Sequence, residues 1–266
     1  MSPLKGKAMK LAIPVLMFIL LSAPAIKLLL GARRERGGPE VWAGLFFLGA
    51  GSGMPLRMMG ATLIQDGGEM GLAVNVAGHL CLLVSSVSLT VFTWRVFHTD
   101  SSRVRAIAAG LIALQLITTF YAFGTGTVHA EEGNPIIAIN AMRVVPTAWA
   151  CVESIRYWML MRRRVALGVA DPVVSNRFAL WAIWTAAFAA LPTTSLVLRI
   201  VVPMMVADPN DPEVIRAVMD ELLGGLRILL AVAGLLGLVA LVLSFFPPHW
   251  YLARLRARLS DTPAQT

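Results

Sequence analysis

Seven apolar runs, each long enough to cross a bilayer, leave this chain very few possible folds. They cover Met9 to Leu30, Val41 to Ile64, Gly71 to Phe97, Val104 to Phe123, Ile136 to Met161, Asn176 to Val206 and Leu222 to Phe246. A helix rises about 1.5 Å per residue, so about 20 apolar residues span a hydrocarbon core of roughly 30 Å. Inside that core every backbone N–H and C=O needs a partner within the chain, and an α-helix supplies one locally. Composition agrees. Of the 266 residues 57% are hydrophobic and only 14% charged, against about 25% charged in soluble domains. The expected architecture is all-α: a single seven-helix transmembrane bundle over residues 1–248, then a basic tail over residues 249–266.

The connecting segments alternate in charge. "GARRERGGPE", "RVFHTDSSRVR", "MRRRVALGVADPVVSNR" and the C-terminal "HWYLARLRARLS" are basic, whereas "QDGGEM", "GTVHAEEGN" and "VADPNDPEVIRAVMDE" are acidic. Short basic loops stay in the cytoplasm, so the pattern places the C-terminus inside and the acidic loops outside an inner membrane. Trp42, Trp94, Trp158, Trp181 and Trp250 fall near the predicted inner ends, as an interfacial aromatic belt does. With seven helices the N-terminus then lies outside. The net charge of +8 is accounted for by these loops, and nucleic acid is not an expected partner. Residues 1–25, ending in "SAPA", have the outline of a signal peptide. Cleavage there would put "GARRER" outside, so a retained first helix with Lys27 snorkelling inward fits the charge bias better.

A weak internal repeat is visible. "WAGLFFLGAGSGMPLR" carries Arg57 fifteen residues after Trp42, and "WTAAFAALPTTSLVLR" carries Arg199 fifteen residues after Trp184. The spacing suggests three helices, a linker helix and three more, as in transporters built from parallel repeats. The last helix is bounded by Asp211 as N-cap, Pro212 at the first helical position and Glu213 in the first turn. Pro247 and Pro248 end it.

Arg57 interrupts an apolar run. Counted inward from the predicted outer ends, Arg57, Arg143 and Arg199 are each seven residues deep and Arg227 five. At 1.5 Å per residue all lie about 8–10 Å below the outer boundary. His79 shares that layer, with Asn75 and Asn140 slightly above it. Guanidinium stays charged and matches carboxylate or phosphate oxygens as a fork. Two readings follow: an outward-facing cationic pocket for an anionic ligand or lipid headgroup, or arginines that snorkel to the headgroups. Helix rotation decides between them.

Glu153 is the one acid well inside an apolar run, and Arg156, three residues on, shares its helix face. They form either an inner structural ion pair or a proton relay with Gln115. No catalytic constellation stands out. The four histidines have no metal-ligand spacing, and no cofactor is expected. "FGTGT" lacks the lysine of a P-loop and reads as a helix stop. The serines of "LLVSSVSLT" are expected to bond back along their own helix. Cys81 and Cys151 read as small buried hydrophobes. All lysines lie at or before Lys27, so a retinal Schiff base in the seventh helix is ruled out.

The exit "LVLSFFPPHWYLARLRAR" resembles the join in bacterial membrane sensor modules, where Pro-Pro after the final helix leads through a basic segment into a histidine kinase output domain. This chain stops within twenty residues of Pro248, so the resemblance implies signalling through a separate partner. Three functions are consistent with the sequence. The first is a receptor-like sensor with an arginine-lined site, contacting membrane lipids and a cytoplasmic protein at the basic loops. The second is a small-solute transporter, suggested by the repeat and by intramembrane prolines. The third is a lipid-modifying membrane enzyme, suggested only by His79 and Glu153.

Overall fold

The computed structural model describes residues 3–34, 38–65, 70–127, 134–206 and 212–260, with side chains from Val15 onward at most positions. The described chain is almost wholly helical, without strands. Eight helices follow in order: α1 (Pro3–Arg34), α2 (Pro39–Gln65), α3 (Met70–Phe97), α4 (Ser102–Gly124), α5 (Asn134–Ala166), α6 (Pro172–Met205), α7 (Pro212–Phe245) and α8 (His249–Ser260). The expected count was seven. The eighth covers residues 249–260 of the expected basic tail, a short helix after Pro247 and Pro248.

Five helices among the described residues, α3 to α7, are long and apolar enough to cross a membrane. Mean hydropathy in α2 is lowered by Arg57 and by five glycines. The run expected over Met9–Leu30 falls partly outside the described side chains. Large apolar side chains stay exposed along these helices, among them Ile117, Phe120, Ile228 and Leu235. Water would not tolerate so much contiguous apolar surface, and lipid would.

The helix ends follow local chemistry. Ser101 caps α4, its hydroxyl accepting from Val104 N at 3.3 Å. Asp171 caps α6 in the same way through Val173 N at 2.8 Å, with Pro172 at the first helical position. The "FGTGT" stretch does stop α4, with Gly126 at a φ of 68° that a side chain would disfavour. The helix α7 begins at Pro212 with Glu213 in its first turn; the expected cap, Asp211, lies outside the described residues.

The chain divides into two compact units, Met1–Met142 and Arg143–Thr266. In the first, α3 is the central helix, and it is buried on several faces along its length. Its pairing with α2 is antiparallel and close enough to bring the backbones together. A Cβ on Gly49 would stand 2.6 Å from Cys81 O, and one on Gly53 would stand 2.9 Å from Gly78 O. Gly49 and Gly53 form a G-x-x-x-G pair in "GAGSG". Small residues at that spacing let helix backbones approach where no hydrophobic drive separates lipid from protein. Ser85 secures the same seam, donating to Phe46 O at 2.9 Å.

In the second unit Cys151 Sγ lies 3.7 Å from Ala182 O, between α5 and α6. Asn176 Nδ2 donates to Tyr251 Oη at 2.6 Å and so ties α8 to α6. Both cysteines are free and half-buried, so they are less enclosed than the sequence reading expects.

Candidate functional site

The α2–α3 seam brings three of the expected site residues together. A Cβ on Gly78 would stand 2.7 Å from Arg57 N and 2.8 Å from Arg57 Cγ. The arginine stem therefore lies directly across α3, at the level of the residue before His79. One turn away, a Cβ on Gly60 would stand 2.5 Å from Asn75 N. Asn75 and His79 are each 1% exposed, while Arg57 is half-buried. The His79 ring meets Phe123 of α4 edge-on, with centroids 6.3 Å apart. Phe123 in turn packs on Ala122, Ile136 and Ile139, which closes that side with apolar groups. Asn75 Oδ1 is buried with no hydrogen-bond partner among the described residues.

The polar character continues along α3. Asn75, His79, Ser86, Thr90 and Thr93 fall at helical spacing and all are buried. Gln115 of α4, 2% exposed, donates through Nε2 to Thr90 Oγ1 at 3.0 Å. Ser86 Oγ donates to Met142 O of α5 at 3.3 Å, and Asn140 stands half-buried two residues earlier. The serines are thus not all local. Ser85 and Ser86 reach across to other helices, against the expectation that they bond back along their own, while Thr90 bonds back to Ser86 O. The reason is the tight packing of α3, which brings foreign carbonyls within reach of short side chains.

The remaining expected site residues belong to the second unit. Arg143 on α5 and Arg199 on α6 are half-buried. Arg227 stands on α7, and its side chain lies outside those described. Glu153 is 5% exposed, and Arg156 Nη1 donates to both of its carboxylate oxygens, at 3.1 and 3.2 Å. The guanidinium is largely in the open, with 62% of the side chain accessible, so the pair joins a buried carboxylate to an exposed guanidinium. Gln115, the suggested relay partner of Glu153, spends its amide on Thr90.

Arg156→Ala is expected to cost about 1–3 kcal/mol, because it strips a charge-assisted bond from a buried carboxylate. Glu153→Gln is expected to cost less, since it removes the charge along with the need for its partner. Thermal unfolding of both variants in detergent tests the order, and a milder Arg156→Ala would contradict it.

The glycine seam was not anticipated, although "GAGSG" carried its signal. Among the described residues no group of three or more His, Cys, Asp or Glu side chains has the geometry to hold a metal ion. The acidic loop residues Asp66, Glu69, Glu131 and Glu132 lie outside the described residues. No protein-family model matches the chain, and no curated protein or solved structure matches it either.

Proposed function

We propose that this chain is a receptor-like sensor of the inner membrane, with an anion-binding site around Arg57, Asn75 and His79 in its first unit. The carrying observation is that one close helix seam packs the Arg57 stem beside two polar side chains that are each 1% exposed. Ionisable and amide groups inside apolar helices are costly, so a cluster of them is a functional site by default. A guanidinium with an amide and an imidazole nearby suits a carboxylate or a phosphate, borne by a small molecule or by a lipid headgroup.

The charge alternation of the loops supports seven spans, an outside N-terminus and an outward-facing site. The exposed run Arg162, Arg163 and Arg164 at the end of α5 offers a basic surface for a cytoplasmic signalling partner. A transporter is the second reading. It is suggested by Pro55, Pro146 and Pro192 inside α2, α5 and α6, where a proline removes a backbone donor from an otherwise continuous helix.

Ligand-dependent thermal shift of the purified protein tests the site, using a panel of anionic metabolites and lipids. A stabilisation in the wild type that is lost in Arg57→Gln is the expected result. No response to any anion, with Arg57→Gln as stable as the wild type, would leave Arg57 as a snorkelling residue. Flux of the stabilising anion into vesicles would favour the transporter reading.

A further inference from the structure

At the opposite end of the first unit, the turn between α3 and α4 gathers guanidinium and indole groups. The Arg95 guanidinium lies 5.7 Å from the Trp42 ring centroid and 5.9 Å from that of Trp94. The Arg105 guanidinium lies 5.7 Å from the Trp94 ring. One indole is thus shared by two arginines, and one arginine by two indoles. Contacts of this kind hold a guanidinium in place while leaving its N–H fork available. Arg95, Arg103 and Arg105 are all exposed.

The charges here are poorly compensated. Arg103 and Arg105 sit in the first turns of α4, which contains no acid in its first turn. A helix N-terminus already carries partial positive charge, so cations there are unfavourable unless an anion joins them. Ser101 Oγ satisfies only Val104 N of the first-turn donors. Among the described residues the acids at this end are Asp100 in the turn and Glu40 at the start of α2. Among the described residues no carboxylate reaches Arg95, Arg103 or Arg105 within ion-pair distance.

We propose that Arg95, Arg103 and Arg105, braced by Trp42 and Trp94, form a site for the phosphate group of an anionic lipid. A phosphate group offers several oxygens to guanidinium forks and to the α4 N-terminus together. The membrane is the source because the turn follows directly on Phe97, the last residue of an apolar span, where headgroups lie. Indole rings prefer that same depth. The site is separate from the Arg57 cluster and does not depend on it.

Native mass spectrometry of the full chain, released from mixed phosphatidylcholine and phosphatidylglycerol, tests the site. The wild type is expected to retain phosphatidylglycerol selectively. Each arginine at an anionic surface contributes about fivefold, so Arg95→Gln with Arg105→Gln is expected to weaken retention roughly twenty-five-fold. A second pair, Arg95→Lys with Arg105→Lys, keeps the charge but loses the fork and most of the ring contact. It is expected to lose most of the selectivity as well. Full retention in the lysine pair would overturn the built site, leaving general surface charge. Unchanged retention in the glutamine pair would overturn the location. Displacement of phosphatidylglycerol by millimolar inorganic phosphate alone would overturn the lipid as the source.

Discussion

Gly60→Ala is expected to destabilise the protein by about 1–3 kcal/mol, the usual cost of overpacking a closed contact. The new methyl would meet Asn75 N at 2.5 Å and Asn75 Cα at 2.7 Å. These are backbone atoms that cannot swing aside, so α2 and α3 must separate. The same change at Gly110 on α4 meets nothing within 4 Å. There alanine removes a glycine from an open helix position and is expected to stabilise by about 0.5–1 kcal/mol. Thermal unfolding of the two variants in one detergent makes the comparison. Equal and small effects would mean that the α2–α3 seam is looser than described.

Asn75→Leu is expected to leave stability unchanged or raise it by about 1–3 kcal/mol, because the amide oxygen it removes is buried without a partner among the described residues. Leucine has a similar branched shape, so the fit against Gly60 survives. The response to anionic ligand is nevertheless expected to fall at least about tenfold, the equivalent of one hydrogen bond to a charged group. Gln115→Leu provides the contrast. It breaks the bond to Thr90 but also removes an amide oxygen that is buried without a hydrogen-bond partner among the described residues, so stability is expected to stay within about 1 kcal/mol of the wild type, with no change in anion response. A stable Asn75→Leu that still answers the anion would remove Asn75 from the site.

The helices were legible because apolar runs of membrane length admit no other local structure, whereas the caps at Ser101 and Asp171 emerge only from the structure. The depth of Arg57 is a count at about 1.5 Å per residue from an expected boundary; the structure adds that its stem lies across from Gly78. Rotation was not legible. A helix that is apolar all round gives no moment to show which side faces protein. Only the packing reveals that α3 is central and carries a buried polar face. The eighth helix was missed for a different reason. The charge of "HWYLARLRARLS" says nothing of its conformation, whereas Tyr251 ties it to Asn176. The matched Trp-to-Arg spacings in α2 and α6 also conceal different settings. Trp184 is buried at 3% exposure in the second unit, whereas Trp42 is half-buried at a helix start beside Arg95.

Whether Arg57 faces a polar interior or lipid is the question on which the receptor reading turns. Spin labelling answers it directly. Cys81 and Cys151 would be replaced by alanine, Arg57→Cys introduced and labelled, and the protein placed in lipid. Relaxation by a water-soluble nickel chelate would then be compared with relaxation by oxygen, which concentrates in hydrocarbon. Strong relaxation by the chelate and weak relaxation by oxygen are expected, with the chelate effect reduced by a stabilising anion. Strong relaxation by oxygen and none by the chelate would place Arg57 against lipid and contradict the site.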